Sequence, residues 1–296
     1  MNSMNIECAV VPVAGLGTRL LPLTKSQPKE MIPVGRKPVV QYVIEELEAA
    51  GLQRILFITG RGKHAIEDHF DRDPELERIL SDPKKAKLLE ELNFEEMDVS
   101  FYYIRQGEQL GLGHAVLQAR DFPGGRPFVV ALGDSIISDG GGGANIVQRL
   151  VACCEEKEAS CVIAFEEVPR AEVYHYGIAK PAEDGEVFRV ADLVEKPSVK
   201  EAPSNLAIAG RYVLGPSIFA ALDETPPGKN NEIQLTDAIR LLLQRGEPVY
   251  GVRLVPGERR HDIGNFPSYY RSFVEFALRD PEYGPALREH LKKLLK

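Results

Sequence analysis

The chain of 296 residues lacks several features that would assign it to common classes of protein. No apolar run is long enough to span a bilayer, and no N-terminal stretch has the order of charged, apolar and small residues that marks a signal peptide. The four cysteines, Cys8, Cys153, Cys154 and Cys161, do not have the spacing of a zinc site. These absences predict a cytoplasmic protein with reduced thiols and no membrane partner.

The chain also has too few basic residues for a general nucleic-acid binder. It carries 36 Lys and Arg against 44 Asp and Glu, which gives a formal net charge of -8. Non-specific binding of nucleic acid needs a basic surface to neutralise phosphates, so nucleic acid is not an expected partner. A site for an anionic ligand must therefore be a local island of positive charge.

Such an island follows the first apolar run, in "AVVPVAGLGTRLLPLTKSQPKEMIPV". Residues 9–13 read as a buried strand and are followed by Gly15 and Gly17. Glycine allows a ligand to approach the backbone closely, and free N–H groups at a strand-to-helix junction can bind phosphate. Between positions 19 and 37 the only acid is Glu30, and the cations are Arg19, Lys25, Lys29, Arg36 and Lys37.

Two common phosphate-binding loops are excluded because their sequence motifs are absent. A dinucleotide fingerprint needs a third glycine three positions after the second, where this chain has Leu20. A P-loop needs Gly-Lys-Ser/Thr, which occurs nowhere in the chain. A dinucleotide-dependent oxidoreductase is therefore disfavoured.

The order of secondary structure predicts an α/β fold. Strand-like and helix-like segments alternate up to about residue 170, which indicates a mostly parallel sheet with helices on both faces. Beyond it, pieces such as "VFRVADLVEKP" and "NLAIAGRYVL" indicate antiparallel additions, and the tail is helical. We therefore expect a Rossmann-like, doubly wound mixed sheet with antiparallel insertions and a C-terminal helical segment.

Several motifs carry a resemblance to a known family. "AGLGTRLLPLTKSQPKEMIPV" resembles the N-terminal signature of the sugar-phosphate nucleotidyltransferases, and "GLGHAVLQA", "VEKP", "APSNLAIAGRYVL", "PPGKNNEIQLTDAI" and "HDIGN" resemble their bacterial UTP–glucose-1-phosphate uridylyltransferase subfamily. The resemblance implies one GT-A-like nucleotidyltransferase domain over residues 1–296. Within it, about 7–140 would bind nucleotide, about 141–265 sugar phosphate, and about 266–296 would form the C-terminal helices.

The resemblance also implies a reaction. Glucose 1-phosphate would attack the α-phosphorus of UTP in one in-line step, giving UDP-glucose and pyrophosphate, with Mg²⁺ as cofactor. The attacking phosphate has a second pKa of about 6, so it is largely dianionic at neutral pH and needs no strong base. The protein should instead supply cations, a metal and orientation. A homo-oligomer, dimer or tetramer, is also implied.

Two alternatives besides the oxidoreductase stay open. The chain could transfer a thymidylyl or another nucleotidyl group to a sugar 1-phosphate. It could also be a non-catalytic paralogue that binds a nucleotide sugar.

By the same resemblance, the backbone of residues 14–17 would hold the nucleotide. Arg19 would face the departing β- and γ-phosphates, and Lys29 would contact the α-phosphate or the leaving group. Arg binds phosphate bidentately, whereas Lys acts as a mobile point charge. The implied catalytic residues are Arg19, Lys29, Asp134 and Lys196.

The uracil site is implied further along the chain. The resemblance assigns Gln106 and Gly111 to the base, with Glu30 close to it. An amide donates and accepts at once, which matches the imide edge of uracil, although an isolated glutamine is more often exposed. The implied nucleotide-binding residues are Ala14, Gly15, Leu16, Gly17, Thr18, Glu30, Gln106 and Gly111.

Metal and sugar residues complete the set. Asp134 ends the apolar run "FVVALGD", and ligands of open α/β sheets bind beyond such strand ends. An acid at this position could also simply cap the end of the strand. Asp134 and, by family pattern, Asp262 would hold Mg²⁺. Glu195 would accept bonds from sugar hydroxyls, and Lys196 would pair with the sugar's phosphate. The implied sugar-phosphate residues are Gly177, Glu195, Lys196 and Arg211.

Overall fold

The structure is a computed structural model that describes residues 6–138, 140 and 142–295. Its strands are β1 (Cys8–Pro12), β2 (Pro33–Val34), β3 (Lys37–Pro38), β4 (Arg54–Thr59), β5 (Ser100–Arg105), β6 (Phe128–Ala131), β7 (Ser135–Ser138), β8 (Cys161–Glu167), β9 (Gly177–Pro181), β10 (Val187–Glu195), β11 (Leu206–Leu214), β12 (Val249–Arg253) and β13 (Arg259–Asp262). Its helices are α1 (Val39–Ala49), α2 (His64–Phe70), α3 (Pro74–Leu80), α4 (Ala86–Leu89), α5 (Leu112–Leu117), α6 (Ile146–Lys157), α7 (Ser217–Glu224), α8 (Leu235–Gln244), α9 (Phe266–Arg279) and α10 (Gly284–Leu294).

Nine of these strands form one mixed sheet, in the order β5-β4-β1-β6-β11-β8-β12-β10-β9. The first four run parallel, whereas β11 is antiparallel to both of its main neighbours, and β10 is antiparallel to β12 and β9. The predicted mixed sheet with antiparallel insertions is confirmed. The pair β7 and β13 lies outside this sheet and sets Asp262 opposite Ser135.

Helices cover both faces of the sheet, which explains the continuous apolar strands. In β1, Val10 packs into a core shared with α5, α7 and α8, while Val11 packs into a second core shared with α1, α2 and α6. A strand buried on both faces needs apolar residues at successive positions rather than at alternate ones. The run that the sequence analysis assigned to a buried strand is therefore at the centre of the fold.

Helix boundaries follow local signals. In α1 the apolar residues recur at helical spacing on the buried side, and Gly51, with φ of 82°, follows its end. In α6 a capping box joins the side chains and backbone of Asn145 and Gln148. The charged stretch at 74–92 is helical but divided, because Pro83 interrupts it after α3. None of the helices in the described ranges is long and apolar enough to cross a membrane.

Candidate active site

The loop after β1 is shaped by Gly17. Its φ of 66° lies in the left-handed region, and a Cβ there would come 3.0 Å from Thr24 Cγ2 and 3.2 Å from Lys29 Cβ. Thr24 Oγ1 donates a hydrogen bond to the Gly17 carbonyl at 2.8 Å, which closes the loop. A side chain at position 17 would therefore strain the backbone and push the loop away from Lys29.

This loop forms one wall of a cavity of about 500 Å³, which we call the loop cavity. The opposite wall comes from residues that follow β5 and β6, so the cavity lies at the carboxyl ends of parallel strands. All of the residues that the sequence analysis assigned to nucleotide line it. They are Ala14, Gly15, Leu16, Gly17, Thr18, Glu30, Gln106 and Gly111, together with Arg19, Lys29 and Asp134.

An ion pair lies inside the loop cavity. Lys29 Nζ is 2.5 Å from Asp134 Oδ2. Burial disfavours the charged ammonium, but the carboxylates of Asp134 and Glu30 outweigh it and raise the pKa of Lys29. Burial also works against the Asp134 carboxylate, yet Lys29 outweighs it and lowers the pKa of Asp134. Both groups are therefore charged at neutral pH, and each fixes the position of the other.

A second carboxylate is buried behind this pair. Glu30 is 1% exposed, and its Oε2 accepts a hydrogen bond from Lys63 Nζ at 2.8 Å. Burial raises the pKa of Glu30 in spite of Lys29 and Lys63. Lys63 could not be predicted as a buried residue, because a lysine in the polar turn "GRGK" has no local signal of burial. It is buried only because the start of α2 packs beside Glu30.

Gln106 and Gly111 close the far end of the loop cavity. Gln106 follows β5, is buried, and donates from Nε2 to the Gly111 carbonyl at 3.2 Å. Gly111 has φ of 101°, and a Cβ there would lie 2.8 Å from Glu232 Cβ and from Ile233 O. Glycine is thus required by the backbone and by packing, whatever ligand lies against it.

A second cavity, of about 690 Å³, adjoins the first; we call it the strand cavity. It is lined by the start of β9, the end of β10, one face of β11 and the first turn of α8. Their shared boundary is formed by the residues that line both cavities, which are Thr18, Arg19, Leu112, Leu132, Asp134 and Glu232. Gly177, Glu195, Lys196 and Asp262 line the strand cavity alone.

Lys196 reaches the strand cavity through an unusual backbone. Its φ of 45° is left-handed, which costs about 1–3 kcal/mol for a residue other than glycine. Successive residues of a strand point to opposite faces, but this turn brings Lys196 Nζ to 3.2 Å from Glu195 Oε1. A carboxylate and an ammonium therefore face the same space. Strain of this kind is typical of functional sites.

Asp262 and Arg19 flank Gly264 where the strand cavity adjoins the loop cavity. Asp262 Oδ1 accepts a hydrogen bond from the Gly264 N–H at 2.7 Å. A Cβ on Gly264 would come 2.9 Å from Arg19 Nη2 and from Asp262 Oδ1, so only glycine fits between them. The pairing of β7 with β13 brings this segment beside Asp134.

These two carboxylates fit a magnesium ion only with help from a ligand. One oxygen of Asp134 binds Lys29 and one of Asp262 binds Gly264, so each has a second oxygen to offer. Across the described part of the chain, no group of three or more His, Cys, Asp or Glu could hold a metal by itself. Mg²⁺ commonly takes one or two carboxylates and completes its coordination with substrate phosphates and water, which suits this donor set.

Comparison with known proteins identifies the family. The nucleotidyl transferase family matches residues 8–277. The chain belongs to the nucleotidyl transferase family. The UTP–glucose-1-phosphate uridylyltransferase of Staphylococcus epidermidis is 43% identical over 290 residues, which cover 98% of this chain and 98% of that protein.

Solved structures agree with this membership. The UTP-bound UGPase from Acinetobacter baumannii superposes with a TM-score of 0.89 at 39% identity, covering 98% of this chain and 100% of that one. A UDP-glucose pyrophosphorylase complexed with UDP-glucose gives a TM-score of 0.84 at 36% identity, covering 93% of this chain and 100% of the other. The predicted nucleotidyltransferase fold is confirmed.

Arg211, which was predicted to bind sugar phosphate together with Gly177, Glu195 and Lys196, does not line the strand cavity as they do. It is fully buried, and its Nη2 lies 2.6 Å from Glu46 Oε2 and 3.0 Å from the Ser135 carbonyl. Along β11, residues 208, 210 and 212 line the strand cavity, so Arg211 points to the other face, under α1. The motif "AIAGRYVL" contains this alternation, but not which face meets the cavity.

The five cations that follow β1 in this nucleotidyl transferase do not all lie at one site. Only Arg19 and Lys29 of the five line either cavity. Lys25 is exposed, Arg36 pairs with Glu91, and Lys37 lies 2.7 Å from Glu45.

Arg260 and Thr236 line the strand cavity but were not predicted from the sequence. Arg260 lies 2.5 Å from Glu166 and stacks 4.4 Å from the centre of the Tyr176 ring, just before the "HDIGN" motif. Thr236 lies within "EIQLTDAI" and donates to Glu195. Both motifs were recognised, but nothing in one sequence says which of their side chains enters the cavity.

Proposed function

We propose that this nucleotidyl transferase transfers UMP from UTP to glucose 1-phosphate, giving UDP-glucose and pyrophosphate. The observation that supports this reaction best is the junction of two cavities, where Arg19 and Asp134 line both. Two anionic substrates need adjoining sites with charges at the boundary if a nucleotidyl group is to pass from one to the other. The choice of uracil and glucose rests on the names and bound ligands of the relatives.

UTP binds in the loop cavity. The backbone N–H groups of residues 14–17 hold its phosphates, and Gln106 and Gly111 hold the uracil. Glu30 lies close to the base and, between Lys29 and Lys63, balances the charge of the cavity wall.

Glucose 1-phosphate binds in the strand cavity. Glu195 accepts hydrogen bonds from the sugar hydroxyls, and Lys196 pairs with the phosphate. A Cβ at Gly177 would come 3.2 Å from Glu195 Oε2 and 2.7 Å from Ile208 Cδ1, so glycine keeps this end of the site open.

The reaction is a single displacement at the α-phosphorus. A phosphate oxygen of glucose 1-phosphate forms the new P–O bond, and the bond from the α-phosphorus to the bridging oxygen breaks. Pyrophosphate leaves with that electron pair, and no proton has to be removed from the dianionic nucleophile. Arg19 stabilises the departing phosphates, and Lys29 stabilises charge at the α-phosphate.

Asp134 and Asp262 would hold Mg²⁺ at the boundary of the two cavities. When bound, the ion neutralises phosphate charge and helps to orient the triphosphate. This chain's own contribution is to fix both carboxylates, one through Lys29 and one through Gly264.

We also propose that the protein works in the cytoplasm as a homo-oligomer. The contact surface is on α9, where Tyr270 and Phe273 are exposed, whereas Phe276 packs inside the chain against Tyr42. Sedimentation of the purified protein tests this, and a monomer at micromolar concentration would contradict it.

The test of the reaction is pyrophosphate release from purified protein with Mg²⁺ and glucose 1-phosphate. UTP, dTTP, ATP, CTP and GTP are supplied separately, and a sample without the sugar phosphate is the control. We expect release mainly with UTP and none in the control. A preference for dTTP would overturn the assignment of the base but keep the reaction. No release from a folded protein that binds UDP-glucose would support the non-catalytic alternative.

A further inference from the structure

The geometry points to Thr236 as a positioning residue for the sugar substrate. It would hold the Glu195 carboxylate in the orientation that accepts sugar hydroxyls, and so set the affinity for the sugar phosphate. This inference rests on the proposed function of the strand cavity. It concerns a residue that touches Glu195 rather than the reacting atoms.

Both oxygens of Glu195 have a partner. Thr236 Oγ1 donates to Oε2 at 2.7 Å, and Lys196 Nζ lies 3.2 Å from Oε1. An ionised carboxylate has about four lone-pair sites, so each oxygen can still accept from a ligand. With both oxygens held, the directions of the remaining lone pairs are fixed relative to the cavity.

The two partners differ in how firmly they hold Glu195. Lys196 has a long side chain that is 33% exposed, and the phosphate of the substrate is its proposed partner. When that phosphate binds, the ammonium has to divide its contacts between two anions. Thr236 is 6% exposed, short, and branched at Cβ, so its hydroxyl has few alternative positions. Thr236 is therefore the constraint that persists in the complex.

The surroundings of Thr236 keep it in place. It lies in the first turn of α8, between Leu235 and Ala238, which are both buried in the core. On its other side Gly177 approaches so closely that an added Cβ would lie 3.1 Å from Thr236 Oγ1. The position of the hydroxyl is thus set by the packing of α8 against the sheet.

The experiment compares Thr236→Val, which removes the hydroxyl at nearly constant shape, with Thr236→Ser, which keeps it. A hydrogen bond to a charged group is worth enough for its loss to raise the KM for glucose 1-phosphate by about ten-fold in Thr236→Val. We expect the KM for UTP to be unchanged, and Thr236→Ser to be close to the wild type in both. Thr236→Ala is a second variant without the hydroxyl, in case Thr236→Val folds poorly.

The matched control is Thr225→Val. Thr225 is also buried, and its Oγ1 donates to the Ala221 carbonyl at 2.8 Å, outside both cavities. We expect it to lose stability without a change in either KM. An equal rise in both KM values in Thr236→Val, or an equal effect of Thr236→Val and Thr236→Ser, would overturn the inference.

A double-mutant cycle with Glu195→Gln decides whether Thr236 acts through Glu195. If it does, Thr236→Val adds little to the KM of Glu195→Gln, whereas fully additive penalties would contradict the inference. Failure of the proposed function would be visible separately, as a wild type that does not use glucose 1-phosphate. In that case the binding of UDP-glucose is measured by calorimetry. Weaker binding in Thr236→Val but not in Thr236→Ser would support Thr236 as a positioning residue, and unchanged binding in Thr236→Val would exclude it.

Discussion

The loop cavity and the strand cavity adjoin, but they are built in different ways. In the loop cavity, the wall proposed to hold phosphate comes from one segment, residues 14–30, whose Lys29 forms a partly buried ion pair with Asp134. The strand cavity takes single side chains from β9, β10, β11, α8 and β13. The first depends mainly on local conformation, and the second depends on how distant elements pack.

This difference has a consequence for mutations. In the loop cavity, the charges of Lys29 and Asp134 stabilise one another, so the removal of either leaves a partly buried charge without that partner. In the strand cavity, Glu195 is held by hydrogen bonds at both oxygens, so the loss of one partner shifts orientation more than charge balance. We expect turnover to suffer most in the first and sugar affinity most in the second.

The largest expected effect is a loss of folding stability, and it tests whether Arg211 is a structural residue rather than part of the strand cavity. Arg211→Met leaves Glu46 without its partner, and breaking a buried ion pair of this kind costs about 3–5 kcal/mol. Urea unfolding measures the loss, and the added change Glu46→Gln should recover part of it. The KM for glucose 1-phosphate, measured where the variant is folded, should not change. A raised KM at normal stability would return Arg211 to the sugar site.

The second prediction concerns turnover in the loop cavity. Lys29→Met removes the ammonium proposed to stabilise the α-phosphate, and loss of one preorganised donor lowers kcat by about 10²–10³-fold. Lys25→Met is the matched control, because Lys25 is an exposed lysine of the same loop that lines neither cavity. Initial rates of pyrophosphate release check both variants. A Lys29→Met enzyme with near-normal kcat would remove Lys29 from the catalytic residues.

Lys29 and Arg211 also show how much of the site could be predicted from the sequence. The strand, the glycines and the cations of one short segment predicted a phosphate site, but only the family resemblance selected Arg19 and Lys29 from its five cations. Asp134 could be predicted because it follows an apolar strand whose end lies at the ligand-binding edge of the sheet, whereas Gln106 was implied only by the family resemblance. The face of β11 that carries Arg211 could not be predicted, because the alternation along the strand does not say which of its two faces meets the cavity. Thr236 and Lys63 become recognisable only through packing partners that are distant in sequence.

The third prediction concerns the affinity of the strand cavity for glucose 1-phosphate. Lys196→Met removes the proposed partner of the sugar's phosphate, and a hydrogen bond to a charged group is worth a rise of roughly 10- to 100-fold in the KM for glucose 1-phosphate. The KM for UTP should be little affected. Lys200→Met, at an exposed position four residues on, is the control. If UTP and sugar phosphate suffered equally, the two cavities would not be separate binding sites.

The smallest effect is expected at the boundary, where both cavities share the proposed magnesium site. Asp262→Asn keeps an oxygen that can accept the Gly264 N–H, so the fold should be retained while one negative charge is lost. Mutation of outer groups alone weakens metal sites by roughly 10–100-fold, so the concentration of Mg²⁺ at half-maximal activity should rise by at least about ten-fold. Asp68→Asn, an exposed carboxylate on α2, controls for the change of net charge. Equal Mg²⁺ requirements in Asp262→Asn and the wild type would contradict the proposed role of Asp262 as a magnesium ligand.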